Sequence, residues 1–281
     1  MLPADRHVHS EWSWDASSGS MEQTCARAVA LGLPAVAFTE HVDYDGWPVL
    51  RADLHGSEHL LPYYSDGVLT PAPLDLDGYL ACLATCRERF PGLRIISGVE
   101  LGEPHWHAEQ AEALVAAGGF DLVLGSLHGL RHEGQFSEVA QLPKAGDADD
   151  VVREYLAETA RLITDCQTFS VLAHVDYPVR YWAQHVSSGP FDASRFEEQY
   201  RHVLTLLAAS GRALEINTRL SPFPEIVRWW REVGGEVITF GSDAHSPSAL
   251  ANGFGAAAAL AEAAGFRQGR DPFDLWRCIT M

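Results

Sequence analysis

Six histidines and three carboxylates fall at the ends of short apolar runs, spread from residue 7 to residue 245. The first group is Asp5-Arg6-His7-Val8-His9, with Asp15 further on; then come Thr39-Glu40-His41, Val99-Glu100, Ser126-Leu127-His128, Ala173-His174-Val175-Asp176 and Gly241-Ser242-Asp243-Ala244-His245. Imidazole and carboxylate together form the ligand set of Zn²⁺, Mn²⁺ or Fe²⁺. Several such ions close together activate water for hydrolysis. The pattern therefore predicts a multinuclear metallohydrolase.

His7 and His9 are two apart. In a strand, such positions point to the same side, so both rings can face one ion. Glu100 closes its run and can bridge two ions with its two oxygens. Asp243 and His245 form a similar pair after Gly241-Ser242. Each signal alone has a plainer reading: a core histidine, a helix cap, a surface acid. Ligand types collecting at the end of run after run do not.

A set of this kind needs a frame that brings strand ends together. Seven strands are predicted, at Arg6–His9, Ala35–Thr39, Arg94–Val99, Leu122–Gly125, Ser170–Ala173, Ala213–Asn217 and Glu236–Gly241. Most are rich in Val, Ile, Leu or Phe, as burial on both faces of a parallel sheet requires. Helices are predicted between them at Met21–Leu31, Asp77–Arg89, His107–Ala117, Asp149–Asp165, Ala193–Ala209 and Pro222–Val233, with a last one from Pro247 to about Ala264. Ser20-Met21-Glu22-Gln23 has the form of a capping box, and Gly32 suits the stop of the first helix. The alternation predicts a distorted (β/α)7 barrel, α/β in class, as one domain over residues 1–281, with the metal site at the C-terminal ends of the strands. Two connections are long. Residues 42–76 read as a lid or side excursion, and residues 131–147 as a second active-site loop.

Composition narrows the function. A formal net charge of -18 argues against a nucleic-acid surface, which needs stripes of Lys and Arg. No apolar run approaches the roughly 18 residues of a membrane span, and the start of the chain does not read as a signal peptide, so a cytoplasmic location is expected. Five cysteines without disulfide spacing read as reduced packing residues. Cys82 and Cys86 share a helix face, and no further thiolates stand near them in sequence to make a zinc site. His105 and His107 are read as surface groups at a helix start; His55, His59 and His132 lie in the long loops. Trp12, Trp14, Tyr44, Trp47, Tyr177, Tyr181 and Trp182 stand near strand ends, where some could wall a pocket.

The chain resembles the PHP (polymerase and histidinol phosphatase) superfamily. The matching segments are Asp5-Arg-His7-Val-His9-Ser, Phe38-Thr-Glu-His41-Val-Asp43, Gly98-Val-Glu100, Gly125-Ser-Leu-His128, Ala173-His174-Val-Asp176 and Gly241-Ser-Asp243-Ala-His245, in the family's order over almost the whole chain. Ser10-Glu11, Asp15, the run His174-Val-Asp-Tyr-Pro-Val-Arg180 and Glu215-Ile-Asn-Thr-Arg219 are similar to the histidinol-phosphatase branch. The resemblance implies three divalent ions, Zn, Mn or Fe. His7, His9, Glu100 and Asp243 would hold the first; Glu100, His128 and His174 the second; Asp15, His41 and His245 the third. Many members carry histidine where Asp15 stands, and the carboxylate makes that position harder. Glu100, Asp243, Arg180 and Arg219 are implied to be catalytic, the two arginines also gripping phosphate with guanidinium forks. Related phosphatases often place a small residue after Asn-Thr; here Arg219 follows directly.

The implied reaction is hydrolysis of a phosphomonoester by a metal-bridging hydroxide, with L-histidinol phosphate as substrate. Its cationic groups would suit Glu11, Glu40 or Asp176 near the mouth. The alternatives are a phosphoesterase for nucleotides or another small phosphate ester, and a non-catalytic metal-binding module. The partner expected is a small phosphate ester; neither nucleic acid nor membrane is expected.

Overall fold

The computed structural model describes residues 2–132, 134–144, 148–185, 189–220 and 223–279. Seven parallel strands follow one another in space as in sequence: β1 (Asp5–Val8), β2 (Ala35–Val42), β3 (Arg94–Gly102), β4 (Leu122–Ser126), β5 (Val171–Leu172), β6 (Ala213–Asn217) and β7 (Val237–Gly241). Among the described residues seven helices of nine residues or more accompany them: α1 (Met21–Leu31), α2 (Leu76–Arg89), α3 (Ala108–Gly118), α4 (Ala148–Asp165), α5 (Glu197–Ala209), α6 (Pro224–Glu232) and α7 (Phe254–Ala263). This is the distorted (β/α)7 arrangement.

The distortion has a definite place. The first residues of β7 pair with an antiparallel strand, Val237 opposite Arg277 and Ile238 opposite Trp276. That strand, Trp276–Cys278, forms a hairpin with Phe266–Arg267, which the sequence reading did not anticipate. Just past the end of β7, the chain switches partner. Asp243 N–H donates to the His7 carbonyl at 2.8 Å and His9 N–H to the Ala244 carbonyl at 2.9 Å. The curled sheet is thus parted by the hairpin at its base and joined at its mouth, where the predicted ligands lie. Buried Asp5 braces the seam, accepting from the N–H groups of Ser242 and Ala251, both at 3.0 Å.

Strand alternation explains what lies inside. Along β2, Ala35 and Ala37 face an inner apolar cluster with Ile96, Leu122, Leu124, Val171, Ala173 and Ala213, while Val36 and Phe38 face the helices. A closed ring of few strands leaves room only for small groups near its axis. Continuing the same period of two, His41 stands above Ala37, and Glu100 above Ile96 and Gly98. The register pairs His41 directly with Glu100. The interior therefore changes from apolar base to polar mouth without any change of strand face.

Helix boundaries follow the local chemistry with three departures. Ser20 accepts from Gln23 N–H, and Gly32 ends α1 in the left-handed region at φ 69°. The predicted helix Ala193–Ala209 is divided: Ala193–Phe196 is a 3-10 turn, and α5 starts after it. Pro222, the predicted start of another helix, lies outside the described residues, and α6 begins at Pro224. Pro247 opens only a short 3-10 turn; left-handed Ala251 and Gly253 then redirect the chain into α7.

The two long connections are ordered by each other. Residues 42–76 carry a three-stranded sheet of Trp47–Pro48, Tyr64–Ser65 and Val68–Leu69. The second forms a hairpin, Gly129–His132 with Gln135–Glu138; Asp147, at the end of the predicted loop, lies outside the described residues. Phe136 of the hairpin packs with Trp47, Val49, Leu54 and Leu69 of the excursion. This small second core roofs the mouth of the barrel.

Tyr79 of α2 gives a direct test of the packing. Its buried hydroxyl accepts from Gly98 N–H at 2.8 Å and donates to the Phe38 carbonyl at 2.9 Å, filling a gap between β2 and β3. Tyr79→Phe leaves both groups buried without that partner. It is expected to lower stability by about 1–3 kcal/mol, read as a lower urea midpoint at unchanged slope.

Candidate metal centre

All nine predicted ligands meet at the mouth. Glu100 of β3 is the hub. Its Oε2 lies 3.1 Å from His7 Nε2, 3.4 Å from His9 Nε2 and 3.1 Å from His41 Nδ1, while its Oε1 lies 2.7 Å from His174 Nε2 and 3.3 Å from His128 Nε2. Asp243 Oδ1 stands 3.5 Å from His9 Nε2. Asp15 Oδ2 stands 3.2 Å from His245 Nε2 and 3.6 Å from His41 Nε2. Among the described residues, ligand atoms cluster within reach of a single ion in four groups: His9, His41 and His245; His7, Glu100 and His174; His7, His9 and Asp243; and His41, Asp43 and His128.

The local backbone makes these approaches possible. Glu215 Oε1 and the His7 side chain both press on Gly241, where an added Cβ would come within 2.0 Å of the carboxylate. Only glycine fits there. Asp243 holds a left-handed backbone at φ 54°, a conformation a short polar residue tolerates and that the surrounding bonds must impose.

The hydrogen bonds behind the rings aim their inner nitrogens. His7 Nδ1 bonds Glu215 at 2.6 Å. Ser13 Oγ donates its hydrogen to Glu40 at 2.6 Å, so its 3.0 Å contact with His9 Nδ1 places a proton on that ring nitrogen. His128 Nδ1 bonds Asp43 at 3.0 Å, and His245 Nδ1 bonds the Asp243 carbonyl at 3.0 Å. These assignments follow from the network. They turn the Nε2 atoms of His7 and His9 toward each other at 3.1 Å, with Glu100 and Asp243 alongside. A proton on one ring serves only part of this group; a divalent cation accommodates all of it. The donor set therefore fits metal ions.

The electrostatics agree. Burial disfavours charge on His7, yet Glu215, Glu100 and Asp243 draw its affinity for protons well above the usual imidazole range. Burial likewise opposes ionisation of Glu100, but His7, His41 and His128 hold it far below the usual carboxylate range. Burial, reinforced by His41 and His245, pushes His9 far down, and burial takes His174 to about 4. Acidic side chains thus raise the proton affinity of His7, His128 and His245, while burial lowers that of His9 and His174, and the same concentration of negative charge attracts cations.

Arg180 and Arg219 converge on the same carboxylate. Arg180 Nη2 lies 2.7 Å from Asp243 Oδ2, and its guanidinium sits over the Tyr177 ring, 4.9 Å from the centroid. Arg219 Nη1 lies 3.2 Å from Asp243 Oδ1, and half of its side chain is exposed. Both line a cavity of about 670 Å³ above the ligand cluster. Trp14, Trp47, Tyr177 and Tyr181 wall it, whereas Trp12, Tyr44 and Trp182 do not.

Some expectations are corrected. Glu11 caps α1 through Met21 N–H and is exposed. Glu40 is fully buried behind the ligands, taking three hydrogen bonds from Ser10 and Ser13. Neither reaches the mouth, and buried Asp176 is outside the cavity lining. His105 is not a surface group: its ring is buried and Nε2 bonds Glu158 at 2.8 Å. His107 Nε2 bonds Asp45 of the excursion at 2.8 Å. Cys25 of α1 joins the Cys82–Cys86 face, a neighbour that spacing did not reveal; burial and the adjacent thiols push it up into the range of an unreactive thiol.

Sequence reading gave no role to Asp43, Glu215 or Glu103. Asp43 lies two positions past His41 and shares its inward face, which was a usable signal. Glu215 alternates with inward Ala213 in β6. Glu103 gave none: it turns in a left-handed conformation and its carboxylate accepts from the N–H groups of His128 and Gly129.

Comparison with known proteins agrees with this geometry. The PHP domain family model matches residues 5–219, a span that stops before Asp243 and His245. A probable histidinol-phosphatase of Thermotoga maritima is 26% identical, over 89% of this chain and 87% of that protein. The histidinol-phosphatase of Lactococcus lactis is 25% identical, over 87% and 85%. The crystal structure of the L. lactis histidinol phosphate phosphatase, complexed with zinc, L-histidinol and phosphate, superposes with a TM-score of 0.75 at 23% identity, covering 98% of both chains. That of a putative histidinol phosphatase from Listeria monocytogenes gives 0.72 at 18% identity, covering 90% of this chain and 99% of that one.

Proposed function

Since the chain belongs to the PHP domain family, we propose that it is a metal-dependent phosphomonoesterase and that its substrate is L-histidinol phosphate. The observation that carries the reaction class is the convergence of nine ligand-type side chains at and beneath the floor of one cavity that two guanidinium groups line. The substrate comes from the histidinol-phosphatase names of relatives matched over most of their length.

Three ions are proposed. His7, His9, Glu100 and Asp243 would hold one, Glu100, His128 and His174 a second, and Asp15, His41 and His245 a third. Bound there, divalent ions would supply acidified water and an electrostatic clamp for in-line displacement at phosphorus. Glu215, Ser13 and Asp43 fix the ring orientations of His7, His9 and His128. Arg180 and Arg219 bind and orient the phosphate oxygens and meet the charge that moves toward the leaving oxygen. Tyr177 supports Arg180 from below. The roof of Trp47, Leu54, Leu69 and Phe136 keeps bulk water from the reacting groups. Among the described residues no helix is long and apolar enough to cross a membrane.

Purified protein loaded with Mn²⁺ or Zn²⁺ should release phosphate from L-histidinol phosphate faster than from nucleotides or other monoesters. Preference for a nucleotide would replace the substrate, and full metal occupancy without any turnover would leave a metal-binding module. Arg180→Ala is expected to raise KM about tenfold or more, the scale of a lost charge-assisted pair. Steady-state kinetics with an unchanged KM would remove Arg180 from the phosphate site.

A further inference from the structure

The cavity above the metal cluster has a second polar end. Asp15, Asp43 and Asp243, which line it, are engaged by His245, His128 and Arg180. Glu138, on the hairpin over the mouth, is different. Its Oε1 accepts from Tyr177 Oη at 3.0 Å and its Oε2 from Ala140 N–H at 3.1 Å. Among the described residues no Lys or Arg pairs with it. Tyr181 Oη donates to Tyr177 Oη at 3.2 Å, so two tyrosine hydroxyls point in series toward this one carboxylate. Each carboxylate oxygen keeps acceptor capacity beyond its single partner.

Tyr177 sets the distance and direction. Its ring lies 5.0 Å from that of His174 and 5.3 Å from that of His128, while its hydroxyl reaches Glu138. Glu138 thus stands one tyrosine beyond the ligand imidazoles. Arg180 stacks on the same ring. A phosphate held by Arg180 leaves the rest of an ester to run along Tyr177, with Glu138 at its end and Trp47, Leu54, Leu69 and Phe136 along its side. A carboxylate without a cationic partner in a part-closed cavity calls for one from the ligand.

We propose that Glu138 is the specificity residue of this site: it selects phosphomonoesters of amino alcohols by accepting hydrogen bonds from their ammonium group, while the apolar roof takes the remaining ring or chain. This rests on the phosphomonoesterase reading, to which it adds the residue that selects the substrate. It also relocates the cation recognition that sequence reading looked for at Glu11, Glu40 or Asp176.

The test compares L-histidinol phosphate with its deamino analogue, 3-(imidazol-4-yl)propyl phosphate, in the metal-loaded full chain. Wild type is expected to favour the amino ester in kcat/KM by at least about tenfold, the scale of a hydrogen-bonded charged group. Glu138→Gln should remove most of that ratio, chiefly through KM. Glu138→Asp, which keeps the charge, should retain part of it and serves if the first variant does not fold. Hydrolysis of both esters with equal efficiency by wild type would overturn the assignment while leaving a phosphomonoesterase. A ratio unchanged in both variants would also overturn it. Hydrolysis of neither ester alongside turnover of another monoester would overturn the assignment alone, and no turnover of any monoester at full metal occupancy would overturn both readings.

Discussion

Replacing Glu100 with glutamine is expected to reduce kcat/KM by at least about a thousandfold and to lower the metal content of the purified protein. The side chain keeps its shape, so the barrel interior is undisturbed. What changes is the chemistry of its two oxygens. Oε2 faces His7, His9 and His41, and Oε1 faces His174 and His128, all within 3.4 Å. Glutamine offers one neutral oxygen and an NH₂ group. The NH₂ hydrogens would point at imidazole nitrogens whose lone pairs are wanted by cations, and the bridging charge would be gone. No other carboxylate among the described residues contacts as many of the ligand rings. Phosphate-release kinetics and elemental analysis of the same sample check both halves. A variant with full metal content and near-normal turnover would show that Glu100 is not shared between ions.

Stripping the metals is expected to abolish turnover and to destabilise the fold. Glu100 and Asp243 are buried, and Asp15 and Asp43 share the imidazoles of His41 and His128 with Glu100. Without cations these carboxylates repel one another and rely on protons carried by the histidines. Ion binding to the folded chain alone adds stability by mass action, about 4 kcal/mol for a site held a thousandfold above its dissociation constant. For a chain of this size that corresponds to a fall in Tm of about 7 °C on removal. The sign with pH follows from competition. The ligand histidines must be neutral to bind, so the metal-dependent part of Tm and activity should shrink as pH falls. Calorimetry before and after chelation, then after adding Mn²⁺ or Zn²⁺ back, measures the effect. A Tm indifferent to complete metal loss would mean that these charges are balanced without ions.

The parallel frame and its mouth were legible because two simple signals coincide. Apolar runs mark strands buried on both faces, and polar residues at their ends mark the open side. Ala35 to His41 shows both in seven residues: the period of two keeps the face constant while the residue type changes with height. The hairpin at the seam was not legible. Phe266–Arg267 and Trp276–Cys278 are too short for a period, and only β7's free edge gives them a reason to form. Charged residues that act behind the ligands were hidden for another cause. Glu40 and Glu215 look like surface or mouth acids in one dimension, and burial beside Ser13 and His7 is a tertiary fact. Glu138 carried no sequence signal, since its role depends on two loops folding over each other.

The central claim is that His7, Glu100, His174, Asp243 and their neighbours hold a group of divalent ions at one rim of the barrel. Anomalous diffraction at the metal edge, from crystals of the metal-loaded protein, tests it most directly. Peaks should appear in contact with Glu100 and the ligand imidazoles, and with Asp15, His41 and His245. A fully loaded protein whose peaks lie elsewhere, or whose mouth shows none, would contradict the account.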